Sequence, residues 1–252
     1  MKGPLKIPDG HELIKTEDGS FTLFSQSFQE ACHSLTGARE ETILHYVKGC
    51  KIVERCQNFS TFQILEVGFG VGMGLLTTME MMPPDKMWHF VSLEWDKRLL
   101  EWFRECHQEL KLHWEGHVLT TQMKNFKITI IHGDGRIELP KYLEKNPIQF
   151  HAIYQDAFSP KKNPSLWTKE WFMLLKNASH EEVILSTYSA STSIRKGLYE
   201  TGWGVQKGEE FGKKRTSTRA VLNSPTDKEI EFFLMRSPVK AFMDEDLKED
   251  FK

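Results

Sequence analysis

Five short apolar runs recur along the middle of the chain, and the segments between them have helical spacing. The runs are rich in β-branched and aromatic residues, which is typical of buried strands. They are residues 63–67 (QILEV), 88–94 (WHFVSLE), 126–132 (FKITIIH), 150–155 (FHAIYQ) and 181–189 (EEVILSTYS). Strands that alternate with helices predict an α/β fold with a parallel sheet and right-handed crossovers.

Both ends of the chain lie outside this alternation. An Asp-Gly turn at Asp18 precedes the apolar alternation from Phe21 to Phe24, which predicts a strand or hairpin, and a helix is expected after Gly37. At the other end, residues 205–223 (VQKGEEFGKKRTSTRAVLN) predict a closing hairpin. We divide the chain into an N-terminal arm (1–60), a central domain (61–222) and a C-terminal extension to which no structure is assigned (223–252).

The first run continues into a glycine-dense turn and a helix start, residues 63–76 (QILEVGFGVGMGLL). Glycines allow the backbone, rather than side chains, to face a ligand. The dinucleotide fingerprint G-x-G-x-x-G needs a third glycine three residues after the second, but that position is Met73 or Leu75, depending on which glycine starts the count. A nicotinamide cofactor is therefore disfavoured. The alternative to a cofactor site is a tight turn without a ligand.

Carboxylates follow three of the later runs. Glu94 comes about 24 residues after Gly70, near the position where a Rossmann-like unit has the acid that binds ribose hydroxyls. Asp134 follows the run 126–132, and Asp156 follows the run 150–155. Because ligands bind beyond the carboxyl ends of parallel strands, the segment from Asp156 should face the bound ligand. The alternatives are that Glu94 only begins a helix and that Asp134 only forms a Gly-Asp-Gly turn.

Composition places the chain in the ordinary globular class. Of its 252 residues, 39% are hydrophobic and 27% are charged, and no apolar run approaches the ~20 residues that span a bilayer. The N-terminal residues lack the apolar core of a signal peptide, so a cytoplasmic protein without membrane attachment is expected. The 4 cysteines contain no C-x-x-C pair, which predicts neither a disulfide framework nor a metal site.

The net charge of -2 does not by itself favour nucleic acid, but the basic residues are clustered. Clusters occur at Lys161-Lys162, Arg195-Lys196 and Lys213-Lys214-Arg215. Such clusters are more often solvated surface than binding sites, and they gain meaning only if they converge around a pocket.

Several motifs, taken in order, resemble the methyltransferase of MnmC-type tRNA modification enzymes and their stand-alone relatives. These motifs are DGSFTL, EACHSLTGA, EVGFGVGMGLL, SLE, DAFSPKKNPSLWT and FGKKRTSTRA. The resemblance runs from about Asp18 to Leu222, and DAF-x-P-x-x-NP-x-x-W is its most specific part. It implies a class I S-adenosylmethionine-dependent methyltransferase fold, which is Rossmann-like. We expect a mostly parallel seven-stranded sheet, an antiparallel closing strand and a small N-terminal extension.

The resemblance also implies an activity. Members of that family transfer a methyl group from S-adenosylmethionine to the aminomethyl nitrogen of the wobble uridine in tRNA, giving 5-methylaminomethyl(-2-thio)uridine. Fused members carry a flavin-dependent oxidase domain, for which this chain has no room. The chain therefore resembles the stand-alone transferase, and we expect functional coupling to a separate enzyme that makes the aminomethyl group.

Roles follow by resemblance for individual residues. The cofactor is expected at Glu66, Gly68, Phe69, Gly70, Gly72, Glu94 (ribose), Asp134 (adenine) and Asp156. Asp156 is also the expected catalytic residue, which positions the amine and helps to remove its proton. Substrate contacts are expected from Phe158, Pro160, Lys161, Lys162, Asn163, Lys213, Lys214 and Arg215, the cationic ones on tRNA phosphates. Pocket closure is the expected role of His33, Ser34 and Glu41.

Two alternatives remain open from the sequence. A polyamine aminopropyltransferase, or another small-amine N-methyltransferase, would use the same fold. An aminopropyltransferase predicts an acidic substrate channel, whereas Lys161 and Lys162 follow Asp156 closely. The second alternative is a cofactor-binding protein without catalysis.

Overall fold

The computed structural model describes residues 6–209 and 217–248. The strands are β1 (His11–Lys15), β2 (Phe21–Ser25), β3 (Glu30–Ala31), β4 (Phe62–Val67), β5 (Trp88–Glu94), β6 (His113–Glu115), β7 (Val118–Gln122), β8 (Phe126–His132), β9 (Phe150–Gln155), β10 (Ser179–Thr187), β11 (Gly204–Lys207) and β12 (Thr218–Val221). The helices are α1 (Ala38–Thr42), which continues as a π-helical turn (Ile43–Lys48), then α2 (Ile52–Arg55), α3 (Met73–Met81), α4 (Lys97–Cys106), α5 (Gly135–Lys145), α6 (Lys169–Asn177), α7 (Thr192–Glu200) and α8 (Lys228–Arg236).

Within the described residues, nine strands form one sheet in the order β11-β12-β10-β9-β4-β5-β8-β7-β6. The five central strands pair in parallel, and β12 is antiparallel to both of its neighbours. The α/β class, the five central strands and the antiparallel closing strand predicted from the sequence are therefore confirmed. The residues between β11 and β12 that include Lys213, Lys214 and Arg215 lie outside the described part of the chain.

The sheet is wider than the seven strands predicted, because β6 and β7 add an antiparallel hairpin at the β8 edge. The helical spacing of apolar residues continues to about Leu110, but α4 ends at Cys106 and the chain turns back at Gly116, where φ is 64°. A glycine in a short turn between two polar-apolar alternations is a hairpin signal that the helical spacing obscured.

Both faces of the parallel strands are buried, as expected when helices cover both sides of a sheet. Leu65 and Ile153 pack on the face covered by α5, α6 and α7, while their neighbours Ile64 and Ala152 pack on the opposite face. Successive side chains of each strand alternate between the two faces of the sheet, so each strand contributes to two hydrophobic cores. Ile230 and Leu234 bring α8 into the first core. The division of the chain at residues 60 and 222 stays a prediction.

The N-terminal strands form a separate sheet, β1-β2-β3. Its buried Leu23 packs against Val71, after the glycine turn, and Leu99 of α4. This contact places the small sheet over the carboxyl end of the central strands. No helix in the described ranges is long and apolar enough to cross a membrane.

Candidate active site

A cavity of about 340 Å³ lies at the carboxyl ends of β4, β5, β8 and β9. The turns after these four strands contribute residues to its wall, and the N-terminal arm contributes Phe28, Cys32 and His33. The volume is within the usual range for a small-molecule site. Among the lining residues that the structure describes, three are carboxylates (Glu94, Asp134 and Asp156) and none is lysine or arginine. The cavity therefore favours cationic ligands.

The glycine turn approaches Asp156 so closely that a side chain is excluded. Gly68 has φ 93°, and a Cβ atom there would lie 2.7 Å from the carbonyl oxygen of Asp156. The backbone N–H groups of Gly68 and Phe69 donate to the carbonyl oxygen of Leu93, at 3.2 and 3.1 Å. Gly68, Phe69 and Gly70 all line the cavity. The turn thus joins the ends of three strands with its backbone.

Two residues of the same motif, Glu66 and Gly72, are not among the cavity-lining residues. Glu66 is 1% exposed beneath the turn, where its Oε2 accepts a hydrogen bond from Ser92 at 2.7 Å. Burial raises the pKa of the Glu66 carboxyl well above its usual range. Gly72 precedes α3 with φ 76°, and a Cβ atom there would meet the Phe103 ring at 2.3 Å. Both residues support the turn from behind. Their contact with the cofactor stays a prediction, and their position outside the cavity lining does not favour it.

Glu94, at the end of β5, lines the cavity and is held by two backbone groups. Its Oε2 accepts from the N–H of Gly70 at 2.9 Å, and its Oε1 accepts from the N–H of Asp96 at 2.8 Å. Burial raises the pKa of Glu94 to about 7, although these hydrogen bonds favour the ionised form. The carboxylate is oriented in advance, and each oxygen keeps a lone pair for a ligand.

Asp134 serves two purposes. Its Oδ1 accepts from the N–H of Arg136 at 2.9 Å and so caps the N-terminus of α5, and it also lines the cavity. The turn-forming role and the predicted ligand-facing role are therefore compatible.

Asp156 follows β9 and lines the cavity opposite the N-terminal arm. Its Oδ1 accepts a hydrogen bond of 2.5 Å from the hydroxyl of Tyr46, in the π-helical turn. Its Oδ2 lies 4.0 Å from Nε2 of His33. Burial lowers the pKa of His33 to about 4, so this histidine is neutral near pH 7 and does not neutralise the carboxylate.

The DAFSPKKNPSLWT segment is held in place by buried donors. The indole N–H of Trp167 donates to the carbonyl oxygen of Phe158 at 2.8 Å, and the side-chain amide of Gln155 donates to the carbonyl oxygen of Leu166 at 2.8 Å. Tyr188 adds a third bond from its hydroxyl to the carbonyl oxygen of Ala157, at 2.9 Å. The motif's tryptophan thus fixes the loop that follows Asp156.

The same loop is joined to the N-terminal arm. Oε2 of Glu30 accepts from both the N–H and the hydroxyl of Ser159, at 3.0 and 2.9 Å. The rings of Phe28 and Phe158 stack with their centroids 4.4 Å apart. The cavity mouth is therefore formed by two segments far apart in sequence.

The remaining predicted substrate residues are not all at the cavity. Asn163 lines it, and its Oδ1 accepts from the hydroxyl of Ser165 at 2.9 Å. Pro160, Lys161 and Lys162 are not among its lining residues, and both lysines are exposed.

The residues predicted to close the pocket, His33, Ser34 and Glu41, are also not all at the cavity. His33 lines the cavity, while the N–H of Ser34 donates to Oε2 of the buried Glu41 at 2.8 Å, which ties the arm to α1. Sequence reasoning missed Phe28, Glu30, Tyr46 and the exposed Trp95 that follows Glu94. An aromatic residue next to a predicted ligand-binding acid was the available signal for Trp95.

Comparison with known proteins identifies the family. The model of a family described as S-adenosyl-L-methionine-dependent methyltransferase matches residues 97–223, which is half of the chain. The chain belongs to this family. The expected methyltransferase activity and the expected cofactor class are thereby confirmed.

Two similar curated proteins are each named tRNA 5-methylaminomethyl-2-thiouridine biosynthesis bifunctional protein MnmC. The protein from Hydrogenovibrio crunogenus is 27% identical over 226 residues, which cover 81% of this chain and 33% of that protein. The protein from Hahella chejuensis is 28% identical over 246 residues, covering 89% and 38% respectively. This methyltransferase therefore spans about a third of the length of these relatives.

A solved structure supports the same relationship. The crystal structure of MNMC2 from Aquifex aeolicus superimposes with a TM-score of 0.77 at 29% identity, and the match covers 96% of this chain and 80% of that one. The resemblance to MnmC-type proteins predicted from the motifs is confirmed.

The residues around the cavity fit the cofactor of this methyltransferase family. Glu94 offers carboxylate oxygens to ribose hydroxyls, Asp134 offers an acceptor to an adenine amino group, and the turn Gly68-Phe69-Gly70 lines the cavity between them. The excess of acidic groups suits a sulfonium cation. Glu94, Asp134, Gly68, Phe69 and Gly70 would hold the cofactor, which supplies an electrophilic methyl group when bound.

Proposed function

We propose that this methyltransferase methylates the exocyclic aminomethyl nitrogen of the wobble uridine in tRNA, forming 5-methylaminomethyl(-2-thio)uridine. The observation that carries the proposal is the position of Asp156, whose backbone meets the cofactor turn at Gly68 and whose carboxylate lines the same cavity. An amine held by Asp156 is therefore next to the turn that holds the methyl donor. The names of the relatives supply the substrate class.

Methylation of an amine requires that the nitrogen be aligned with the methyl group and that it lose a proton. An ammonium group has no lone pair, so the amine must reach the site neutral or lose a proton there. Asp156 holds the amine by accepting its N–H. As the new N–C bond forms and the C–S bond breaks, the nitrogen becomes cationic, and Asp156 accepts the proton that restores a neutral secondary amine. The neutral His33 adds no positive charge that would repel the amine.

The uracil ring and the tRNA backbone require further contacts. Phe158 lines the cavity and offers a face for a planar base. Lys161 and Lys162 are exposed on the loop after Asp156, where they can meet phosphates without entering the cavity. Lys213, Lys214 and Arg215 stay part of the proposed phosphate-binding set. A separate enzyme that makes the aminomethyl group and a cytoplasmic location belong to the same proposal.

The acidic cavity bears on the aminopropyltransferase alternative. Because Lys161 and Lys162 lie outside the cavity lining, they do not argue against a polyamine substrate as strongly as their sequence position suggests. The preference for tRNA therefore depends on the relatives.

The experiment is methyl transfer from labelled S-adenosylmethionine to bulk tRNA from a strain lacking this gene, followed by mass spectrometry of the nucleosides. We expect 5-methylaminomethyl-type uridine with the wild type and a fall of about 100-fold or more in rate with Asp156→Asn. Asp85→Asn, an exposed carboxylate before β5, is the matched control and should match the wild type. No label in tRNA, together with transfer to a polyamine from decarboxylated cofactor, would contradict the proposal.

A further inference from the structure

Tyr46 lies in a segment of the N-terminal arm where the helix widens. The π-helical turn Ile43–Lys48 continues directly from α1. Such wide turns inside helices are frequent at functional sites, because they re-aim a side chain. Gly49 ends the turn, and a Cβ atom there would lie 1.9 Å from the carbonyl oxygen of His45. The sequence therefore needs glycine at this position to form the turn.

The turn is pinned to the central sheet. The hydroxyl of Ser186, in β10, donates to the carbonyl oxygen of His45, and the thiol of Cys50 donates to the carbonyl oxygen of Ile184 at 3.3 Å. Tyr46 itself is 2% exposed, and its ring stacks on Tyr154 of β9 with centroids 5.3 Å apart. Its orientation is therefore set by packing on two strands before any ligand binds.

The hydroxyl of Tyr46 bonds one oxygen of the Asp156 carboxylate, and the other oxygen faces the cavity wall. The hydroxyl donates to Oδ1 at 2.5 Å, whereas Oδ2 lies toward His33, a cavity-lining residue. Tyr46 does not line the cavity. The carboxylate is thus held through Oδ1 by a residue behind the cavity wall, while Oδ2 faces a residue of the wall itself.

We propose that Tyr46 is a positioning residue that fixes the carboxylate of Asp156 so that Oδ2 receives the substrate amine. The inference rests on the proposed function, because it assumes that Asp156 binds an amine. A phenol that donates to a carboxylate stabilises the ionised form and restricts its rotation. Burial raises the pKa of Tyr46 well above its usual range, so its hydroxyl stays protonated and keeps donating.

Other titratable groups also face Asp156. Cys32 and His33 come from the N-terminal arm, Glu66 from β4 and Tyr188 from the residue after β10. Because the Tyr46 hydroxyl donates to Oδ1 and such a bond favours the ionised carboxylate, its removal is expected to disfavour the ionised form of Asp156.

The test compares Tyr46→Phe with Tyr154→Phe. Both changes remove one buried hydroxyl from the same stacked pair, and the hydroxyl of Tyr154 bonds Oγ1 of Thr78 at 3.1 Å, away from the cavity lining. In Tyr46→Phe we expect kcat on tRNA to fall about 10- to 100-fold, the KM for S-adenosylmethionine to stay within about twofold, and the acid limb of the kcat/KM profile to move to higher pH. Tyr154→Phe should keep the wild-type profile.

Two further measurements keep the outcomes distinct. If Tyr46 acts through Asp156, adding Tyr46→Phe to Asp156→Asn should cause no further loss. In the wild type, a hydroxyl proton in so short a bond should appear far downfield in the NMR spectrum and vanish in Asp156→Asn, a comparison that does not need Tyr46→Phe to fold. The inference would be overturned if Tyr46→Phe left the acid limb of the kcat/KM profile unmoved, if Tyr154→Phe shifted it equally, or if the wild type lacked the downfield hydroxyl proton. A wild type that does not methylate tRNA would instead overturn the proposed function.

Discussion

The buried carboxylate of Glu94 makes a quantitative prediction about cofactor binding. Burial raises its pKa to about 7, and only the ionised form can accept hydrogen bonds from both hydroxyls of a ribose. Binding of S-adenosylmethionine should therefore release a proton from Glu94 at acidic pH. One pH unit below that pKa about a tenth of the free protein is ionised, so the Kd at pH 6 should be about tenfold weaker than at pH 8.

Titration calorimetry between pH 5.5 and 8.5 measures this dependence, in two buffers of different ionisation enthalpy so that the released proton is counted. Glu94→Gln removes the titration and one charge-assisted acceptor. At pH 8 its Kd should be about 10- to 100-fold weaker, and it should no longer vary with pH. Glu105→Gln, an exposed residue of α4, is the control and should keep the wild-type curve.

Glu94 also makes the stability of the folded protein depend on pH, and this contribution weakens as pH rises whereas cofactor binding strengthens. An unfolded glutamate titrates near 4.5, whereas Glu94 titrates near 7 in the folded protein. Between these values the unfolded state binds fewer protons at this residue, so the contribution of Glu94 to the free energy of unfolding of the ligand-free protein falls as pH rises. The full contribution is about 3 kcal/mol, lost between pH ~4.5 and ~7.

Urea denaturation of the wild type and of Glu94→Gln at a series of pH values checks this, and the free energy of unfolding of the wild type relative to that of the variant should fall as pH rises through the window. His33, His89 and His151 contribute with the opposite sign in the same window, because burial lowers the pKa of each to about 4 in the folded protein. Both proteins carry these histidines, so the difference between the two curves isolates Glu94. A wild-type Kd that stays constant from pH 6 to 8, a Kd of Glu94→Gln that still varies with pH, or a difference in unfolding free energy between the two proteins that does not change with pH would refute the reasoning.

Two further predictions concern the walls of the cavity. Gly68→Ala should destabilise the protein by about 1–3 kcal/mol in urea denaturation and abolish cofactor binding, because the new Cβ meets the Asp156 carbonyl oxygen at 2.7 Å. Gly19→Ala is the control: Gly19 has a similar φ of 83° and nothing within 4 Å of the new Cβ, so this variant isolates the cost of the backbone conformation alone. Glu30→Ala and Ser159→Ala should each raise the KM for tRNA several-fold while leaving the Kd of the cofactor unchanged, and a double-mutant cycle should give a coupling of about 1 kcal/mol or more. Equal losses in both glycine variants, or additive effects in the cycle, would contradict these two predictions.

The sequence predicted those parts of the site that depend on local pattern and on sheet topology. Glu94 ends a buried strand, Asp134 and Asp156 lie within two residues of the ends of two others, and parallel strands bring their carboxyl ends to one edge. It predicted less well what each motif residue does. Glu66 and Gly72 belong to the glycine motif, yet their surroundings are Ser92 and Phe103, behind the turn.

Contacts between distant segments could not be predicted from spacing. Tyr46 and Asp156 are 110 residues apart, and Glu30 and Ser159 are 129 apart. Neither pair has a periodic signal. The Glu30–Ser159 contact depends on how the N-terminal sheet docks on Val71 and Leu99, and the Tyr46–Asp156 contact depends on how the π-helical turn packs on β9 and β10. The π-helical turn adds a further obstacle, since it rotates Tyr46 out of the register that a regular helix would give.

The contacts between the N-terminal arm and the loop after Asp156 affect how the specificity for the amine substrate can change. The groups suited to the cofactor lie within one continuous stretch from Gly68 to Asp134, whereas the amine side of the cavity is shared with Phe28 and Glu30. Exchange of the arm would therefore alter which amine is admitted, while Glu94 and Asp134 keep their own strands and hydrogen bonds on the donor side of the cavity.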